Sequence, residues 1–430
     1  MADDRPSPTY PHDAEPPQHT ALLTEPRDGT PAPIVDTDGL REYSQLLASG
    51  TGPIAVDAER ASGYRYGQRA YLIQLRRVGA GTALVDPVPV EDFSPLAEAL
   101  TGPEWVLHAA SQDLPCLAEI GLHPTKLFDT ELGARLAGFE RVGLAALTES
   151  LLGFTLEKHH SAADWSSRPL PENWLTYAAL DVELLIELRY AIGTELERQG
   201  KLGWAEEEFA ALVNAAPPAP RVDPWRRTSG MHKVRGARAL ARVRALWNVR
   251  DALASKRDTA PGRILPDTAI VAAAQGDPKD EAELFLLPMF GGRSTRRLSK
   301  LWLDALAEVR ALPDKDLPTS SAPSDAPPPP HRWAEKEPEA AARLARAREA
   351  VTALATEYGL PQENLLTPDT VRRLCWAPPE DADVAGFLRR HGAREWQISI
   401  TTGALENALS EPPAAAAGAD PAVSADSPAE

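Results

Sequence analysis

The amino-acid sequence predicts an α/β domain with a mixed sheet, followed by two small all-α domains. Short apolar runs precede a helical stretch in the first half of the chain. Two Pro-rich segments then set apart regions in which the apolar spacing is helical throughout. The length of 430 residues agrees with about three domains.

Composition divides the chain into folded segments, linkers and tails. The first residues are rich in Pro, Asp and Thr and the last are rich in Ala, Pro and Ser, which is typical of disorder. We predict a disordered tail at 1–33, the α/β domain at 34–213, a linker at 214–224, a helical domain at 225–312, a Pro/Ser-rich linker at 313–332, a second helical domain at 333–410 and a disordered tail at 411–430.

Three apolar runs separated by Gly-containing turns predict an antiparallel meander at the start of the α/β domain. The runs span residues 53–58, 71–76 and 83–86. Residues 105–109 form a further predicted strand, and residues 127–200 are mainly helical. This order of elements favours a mixed sheet. Gln74 lies inside the second run, where its amide is expected to bond a buried backbone group rather than the substrate.

The distribution of charge says more about partners than the total does. The net charge of −17 argues against nucleic acid, but residues 221–310 carry 18 basic and 10 acidic side chains. This block could contact phosphates, although a solvated helical surface has the same composition. The chain shows no leader peptide and no run of 18 apolar residues, which predicts a cytoplasmic protein without a membrane span. The two cysteines lie in different segments, so we expect neither a disulfide framework nor a cysteine-based zinc site.

Two carboxylates stand at the end of the first apolar run, in Ile-Ala-Val-Asp57-Ala-Glu59. Side chains two positions apart on a strand point to the same face, so these acids are expected to lie close together. Like charges held that close repel unless a cation lies between them, and carboxylate oxygens suit Mg²⁺ and Mn²⁺. Taken alone, the pair could also be solvated turn residues.

Three further residues extend this pair. Asp113 follows a predicted strand, and Tyr177 and Asp181 are four positions apart, so they share one face of a helix. Each has an ordinary structural alternative: Asp113 could be a helix N-terminal acid, and Tyr177 could pack at a helix boundary above a surface Asp181. Four acids and a helical tyrosine in this order are nevertheless hard to obtain by chance.

Together these residues resemble ribonuclease D, within the wider superfamily of 3′–5′ exonucleases that use four acidic residues and a tyrosine. The matching motifs are Val-Asp57-Ala-Glu59, His-Ala-Ala-Ser-Gln-Asp113 and Tyr177-Ala-Ala-Leu-Asp181, and the resemblance covers about residues 34–210. Many relatives carry Thr between the first two acids, where this chain has Ala. The resemblance implies a ribonuclease H-like mixed sheet flanked by helices.

The resemblance also implies that Asp57, Glu59, Asp113 and Asp181 bind two divalent metal ions, Mg²⁺ or Mn²⁺, with Asp57 as the bridging ligand. Two ions roughly 4 Å apart stabilise the attacking and leaving oxygens of a phosphoryl displacement. Tyr177 would orient the attacking water, because a phenol with a pKa of about 10 is a poor base at neutral pH. The implied reaction removes single nucleotides from RNA 3′ ends, tRNA precursors especially, and releases 5′-monophosphates.

Other residues of the α/β domain are candidates for contact with the substrate. Tyr64, Tyr66 and Gln68 follow the first motif, where the rings could stack on a terminal nucleotide or pack within the loop. Arg168 could contact a phosphate or cap a helix. His108 could contact the substrate, and support of the strand end is its structural alternative.

The first helical domain resembles the HRDC domain shared by RecQ-type helicases and ribonuclease D. The resemblance rests on a Pro-x-x-x-Leu-Pro-Asp turn that ends at Asp267 and on the start Trp247-Asn-Val-Arg-Asp251. Domains of this kind often bind nucleic acid, in agreement with the basic charge. The predicted phosphate contacts are Arg293, Arg296 and Arg297, for which a plain surface loop is the alternative.

Residues 333–410 look like a second, diverged HRDC-type domain, because Leu365-Leu-Thr-Pro-Asp369 repeats the capped turn. The negative charge of this segment argues against strong RNA binding. We therefore expect it to pack against the α/β domain or to shape the entrance to that domain.

Two other functions stay open. A DNA exonuclease with the same metal pair would carry the same residues, since only a contact to the 2′-hydroxyl separates RNA from DNA. A non-catalytic RNA-binding protein would have lost an acid or Tyr177, and none is missing. We expect a monomer that binds RNA 3′ ends and releases a nucleotide monophosphate.

Overall fold

A five-stranded mixed sheet forms the centre of the first part of the chain, in agreement with the predicted α/β fold. The computed structural model describes residues 20–156, 163–217, 219–320 and 325–410, which we divide into an N-terminal unit (20–217), a middle unit (219–320) and a C-terminal unit (325–410). The strands are β1 (Ala21–Leu23), β2 (Thr51–Arg60), β3 (Ala70–Val78), β4 (Gly81–Val85), β5 (Glu104–Leu107), β6 (Lys126–Asp129) and β7 (Phe154–Leu156). The sheet order is β4-β3-β2-β5-β6, with β2, β3 and β4 antiparallel and with β5 and β6 parallel to β2.

Helices pack on both faces of this sheet. They are α1 (Thr37–Ser49), α2 (Ser94–Leu100), α3 (Leu114–Ala118), α4 (Thr130–Leu136), α5 (Leu144–Leu147), α6 (Glu172–Glu183), α7 (Leu185–Arg198) and α8 (Leu202–Val213). Ile54 and Val56 of β2 belong to the larger core on one face, whereas Leu72 of β3 packs on the other face with Ala178 of α6. Alternation along β2 therefore directs Asp57 away from the larger core and toward α6.

The chain is ordered further toward its start than the composition predicts. Strand β1 pairs in parallel with β7, and the N–H of Ala21 donates to the carbonyl of Gly153 at 2.9 Å. The prediction of disorder over 1–33 is therefore wrong for residues 21–23, because pairing with a distant strand leaves no mark in local composition. Residues 1–19, and the predicted tail at 411–430, lie outside the described residues.

The middle unit is helical and has its own core. Its helices are α9 (Ala237–Arg257), α10 (Pro261–Ile264), α11 (Asp267–Gly276), α12 (Glu281–Phe285), α13 (Arg293–Arg296) and α14 (Ser299–Ala311). Trp225, Phe290 and Trp302 are almost completely buried in this core, against Leu246 of α9 and Ile270 of α11.

The C-terminal unit is also helical, but its core is continuous with that of the N-terminal unit. Its helices are α15 (Trp333–Lys336), α16 (Pro338–Glu357), α17 (Gln362–Leu365), α18 (Pro368–Trp376), α19 (Val384–Arg390) and α20 (Glu395–Ser410). The ring of Trp396 stacks on that of Trp204 with the centroids 4.9 Å apart, and its Nε1 donates to Glu208 at 3.1 Å. The expected packing against the α/β domain is thus present. Among the helices described here, none is both long and apolar enough to cross a membrane.

Candidate active site

Three of the four predicted acids meet at one point beside the sheet. Asp57 and Glu59 lie near the end of β2, and Asp181 lies on α6, which packs across β2, β3 and β4. Each residue offers one carboxylate oxygen, and the three oxygens lie within 4.8 Å of one another. The two-residue spacing on β2 and the packing of α6 on the same face explain why residues so distant in sequence converge.

Asp113 borders this group from a different element. It stands between a single 3-10 turn, Ala110–Gln112, and the start of α3. Its side chain is 8% exposed, and its Oδ1 lies 4.0 Å from Nη2 of Arg60. Burial and, in smaller part, the charge of Asp113 raise the pKa values of Glu59 and Asp181. The fourth acid is therefore close enough to Glu59 and Asp181 for its charge to oppose their ionisation.

A buried carboxylate that the sequence analysis missed holds the turn before Asp113. Ala109 has a φ of 60°, a left-handed conformation that residues other than glycine seldom adopt. Asp129, the N-cap of α4, accepts from the N–H groups of Ala109 at 3.0 Å and Ala110 at 2.9 Å, and also from two N–H groups of α4. These bonds fix the turn and thereby the position of Asp113. The signal in the sequence is an acid directly before a helix.

Burial and mutual repulsion oppose the ionisation of these acids. Burial raises the pKa of Asp57 to about 6. Burial and then the charges of neighbouring acids raise the pKa of Glu59 to about 10 and that of Asp113 to about 8. A divalent cation would supply the positive charge that such a pocket needs, and a donor set made of carboxylate oxygens suits Mg²⁺ and Mn²⁺. The residues therefore fit the metal ions that the resemblance implies.

Arg60 is a second residue of the pocket that the sequence analysis missed. It is the last residue of β2, its side chain is 26% exposed, and it faces Asp113. Its positive charge opposes the rise in the pKa values of Asp57, Glu59 and Asp113. A basic residue immediately after the Asp-Ala-Glu motif was the available signal.

Tyr177 lies one helical turn before Asp181 on α6, as the four-residue spacing predicts. Burial first, and then the charge of Asp181 and a hydrogen bond to it, raise the pKa of the Tyr177 phenol far above its usual value. The hydroxyl therefore keeps its proton at neutral pH. This side chain can donate a hydrogen bond to an oxygen in the pocket, but it is not a base.

His108 has the structural role that was the alternative to contact with the substrate. It follows β5, and its Nδ1 lies 2.9 Å from the hydroxyl of Thr130 at the start of α4. Burial lowers the pKa of His108 to about 4. The imidazole is therefore neutral at neutral pH and supports the strand end.

The predicted phosphate contact through Arg168 is wrong, because this guanidinium has no donor left for a substrate. Its Nε and Nη2 form a bidentate pair with Asp86 at 2.6 and 2.7 Å. Nη1 donates to the carbonyls of Trp165 and Ser167, and Nη2 also donates to the carbonyl of Tyr71. All five N–H groups of the guanidinium are thus used within the fold.

We expect Arg168→Ala to lower the free energy of unfolding by about 3–5 kcal/mol, because it leaves the buried carboxylate of Asp86 without its charged partner. Denaturant unfolding measures this loss, with Arg141→Ala, at an exposed position, as the control. A variant of unchanged stability and weaker RNA binding would instead support the phosphate contact.

The loop after β2 points its tyrosines at the middle unit. The hydroxyl of Tyr66 lies 3.2 Å from both carboxylate oxygens of Asp251, and the ring packs against the middle core. The guanidinium of Arg263 lies over the ring of Tyr64, with its Cζ atom 4.0 Å from the ring centroid. Gln68 is exposed and accepts a hydrogen bond from Ser62. Tyr66 therefore follows the second of the two predictions, packing rather than stacking: it contacts the middle unit and is not open to a nucleotide.

The three arginines predicted to contact phosphate lie in the middle unit, at and just after α13. Arg293, Arg296 and Arg297 are exposed, and the guanidinium of Arg296 lies over the ring of Phe285 at 4.7 Å. Their role as phosphate contacts stays a prediction.

Gln74 does not bond a buried backbone group, so that prediction is wrong. It is fully buried on β3 directly opposite Asp57, and among the described residues neither polar atom of its amide has a hydrogen-bond partner. An unpaired buried polar group is costly. Packing alone does not explain why an amide without hydrogen-bond partners lies next to the acid pocket.

We expect Gln74→Met to raise the free energy of unfolding by about 1–2 kcal/mol, because it removes two unpaired polar atoms at nearly constant length. Denaturant unfolding checks the sign. Gln199→Met is the matched control and should destabilise, since the amide of Gln199 donates to the carbonyl of Ala137 at 2.9 Å. A loss of stability at position 74 would show that the amide has a partner.

Three family models match consecutive parts of the chain. Residues 31–197 match a model described as a 3′–5′ exonuclease, residues 239–306 match the HRDC domain, and residues 326–409 match a model described as a 3′ to 5′ exonuclease C-terminal domain. The segment expected to be a second HRDC-type domain is the one that matches the C-terminal exonuclease model.

Similar proteins are known from sequence and from crystal structures. The ribonuclease D of Acidiphilium cryptum is 32% identical over 324 residues, covering 71% of this chain and 79% of that protein. A protein from Bifidobacterium adolescentis is 40% identical with a TM-score of 0.83, covering 91% of this chain and 100% of that one. Escherichia coli RNase D, described as an exoribonuclease involved in structured RNA processing, is 26% identical with a TM-score of 0.65, covering 88% of this chain and 98% of that one.

Proposed function

The chain belongs to the ribonuclease D family, and we propose that it shortens RNA from the 3′ end one nucleotide at a time, with release of 5′-monophosphates. It is a 3′–5′ exoribonuclease. The observation that carries this proposal is the meeting of three carboxylates within 4.8 Å, with Asp113 and Tyr177 beside them. The similarity to the E. coli enzyme, described as involved in structured RNA processing, supports structured RNA as the substrate class. Within that class we propose tRNA precursors.

The acids of the pocket would hold the metal ions. Asp57, Glu59 and Asp181 offer the nearest set of oxygens, and Asp113, whose Oδ1 lies 4.0 Å from Nη2 of Arg60, adds a fourth carboxylate. When bound, divalent ions activate a water and stabilise the departing 3′-oxygen. We assign Mg²⁺ or Mn²⁺ to the site because all the donors are carboxylate oxygens.

Two other side chains complete the proposed machinery. Tyr177 keeps its proton and so orients the attacking water by donating or accepting a hydrogen bond, without removing a proton from it. Arg60 reduces the repulsion among the acids before the ions bind. In the middle unit, Arg293, Arg296 and Arg297 are proposed to contact the phosphates of the RNA that precedes the scissile end.

Digestion of an end-labelled tRNA precursor that carries a 3′ trailer tests this function. We expect stepwise shortening from the 3′ end, mononucleotide products, and complete inhibition by a chelator that added Mn²⁺ or Mg²⁺ reverses. Matched RNA and DNA oligonucleotides separate the ribonuclease from a DNA exonuclease. Equal degradation with and without chelator, or no degradation at all, would contradict the proposal.

A further inference from the structure

The loop between β2 and β3 is held by the middle unit. Asp258 Oδ1 accepts from the backbone N–H groups of Tyr66 at 3.2 Å and Gly67 at 3.4 Å, and its Oδ2 lies 3.7 Å from Arg65. Asp251, on α9, pairs with the hydroxyl of Tyr66. Two carboxylates of a different unit therefore fix both the backbone and a side chain of this loop, residues 61–69.

Residues just beyond Asp258 hold the first half of the same loop. The N–H of Ala260 donates to the carbonyl of Tyr64 at 2.9 Å, and Nε of Arg263 donates to the carbonyl of Gly63 at 2.8 Å. The guanidinium of Arg263 also covers the ring of Tyr64. Most of these contacts are to backbone groups, which fix the path of a loop more directly than contacts between long side chains do.

Asp258 occupies a position that is locally unfavourable for an acid. It caps the C-terminus of α9, where the helix dipole disfavours a negative charge. The hydrogen bonds that it accepts from the loop account for a carboxylate at this place.

The loop is connected directly to the acid pocket. Its first residue follows Arg60, and the pairing of β2 with β3 changes register between Glu59 and Arg60. Arg60 still pairs with Ala70, but the ladder is irregular at this point, as at a β-bulge. On its other side the loop is tied to the segment before α6, because Nε of Arg65 donates to Ser166 at 2.8 Å. The loop thus touches the elements that carry the pocket on both sides.

We propose that the middle unit is a positioning part of the catalytic apparatus, in which Asp251 and Asp258 hold loop 61–69 and thereby keep Glu59 and Arg60 in place. The inference rests on the exonuclease activity proposed above and extends it. The middle unit then affects kcat, in addition to any binding of a long RNA.

The test compares turnover of a diribonucleotide, too short to reach the outer surface of the middle unit, with turnover of a long RNA. We expect Asp258→Ala to lower kcat on the diribonucleotide roughly tenfold with little change in KM, because small misplacements of reacting groups are costly. Asp258→Asn should restore most of kcat, since it keeps the oxygen that accepts the loop N–H groups. Tyr66→Phe should lower kcat to a smaller extent, and adding Asp251→Ala should then have little further effect, because both changes remove the same contact.

Asp304→Asn is the matched control, because it removes an exposed acid of the same unit, which pairs with Lys300 on α14. The kcat of this variant should equal that of the wild type. Unchanged kcat on the diribonucleotide in Tyr66→Phe and Asp258→Ala, with a raised KM for long RNA, would overturn the inference and leave the middle unit a binding surface. Thermal unfolding of each variant excludes a loss of folded protein, and Tyr66→Phe keeps the test valid where Asp258→Ala does not fold. Absence of turnover by the wild type on both RNAs would instead refute the proposed function.

Discussion

Asp57→Asn is expected to lower RNA hydrolysis by at least about 10³-fold and to leave the fold intact. The variant loses one of the three carboxylates that meet within 4.8 Å. Stabilisation of the transition state by bound metal amounts to several kcal/mol, and each 1.36 kcal/mol corresponds to about a tenfold change in rate. Removal of one charge from a cluster of like charges should keep or raise the stability of the metal-free protein.

Two measurements check this result. Release of mononucleotides from a labelled RNA reports hydrolysis, and the rise in melting temperature on addition of Mn²⁺ reports ion binding, which we expect to be lost or much reduced. Asp181→Asn should behave in the same way. Asp38→Asn is the control, because Asp38 is an exposed acid whose side chain is 88% accessible and pairs with Arg41 one helical turn away. Full activity of Asp57→Asn with either metal ion would disprove the assignment of the site.

Tyr177→Phe is expected to lower kcat by about 10²-fold, the usual cost of losing one oriented hydrogen-bonding group at a reacting centre. KM and the Mn²⁺-induced rise in melting temperature should not change, because the phenol is not an expected metal ligand. Burial and Asp181 keep the Tyr177 hydroxyl protonated. The pH–rate profile of the variant should therefore have the same shape as that of the wild type.

Tyr190→Phe is the matched control for this change, since Tyr190 is 52% exposed on α7. A variant that loses an entire limb of the pH–rate profile would show that Tyr177 removes a proton, contrary to the orienting role. A variant as active as the wild type would remove Tyr177 from the proposed machinery.

The sequence was sufficient for those parts of the site that local periodicity encodes. Alternation along a strand places Asp57 and Glu59 on one face, and the helical repeat places Tyr177 and Asp181 on another, so only the packing of α6 on β2 remained to be found. The mixed sheet followed from the same kind of pattern.

Residues whose role depends on a distant partner could not be assigned in this way. In the sequence Arg168 could contact a phosphate, but in the fold it pairs with Asp86. Tyr66 could stack on a nucleotide, but in the fold its hydroxyl bonds to Asp251. Asp129 and strand β1 were missed for the same reason, since their partners come from other segments of the chain. Neither composition nor spacing contains that information.

The shared core of the N-terminal and C-terminal units bears on how this protein matures during synthesis. The stack of Trp396 on Trp204 and the close approach of the Gly359 carbonyl to Gly138 join chain segments that leave the ribosome far apart in time. The apolar surface around α8 therefore stays exposed while the whole middle unit is translated. We therefore expect the nascent chain to be prone to aggregation until α20 has emerged. A premature stop before that helix should yield a protein that chaperones retain or proteases degrade.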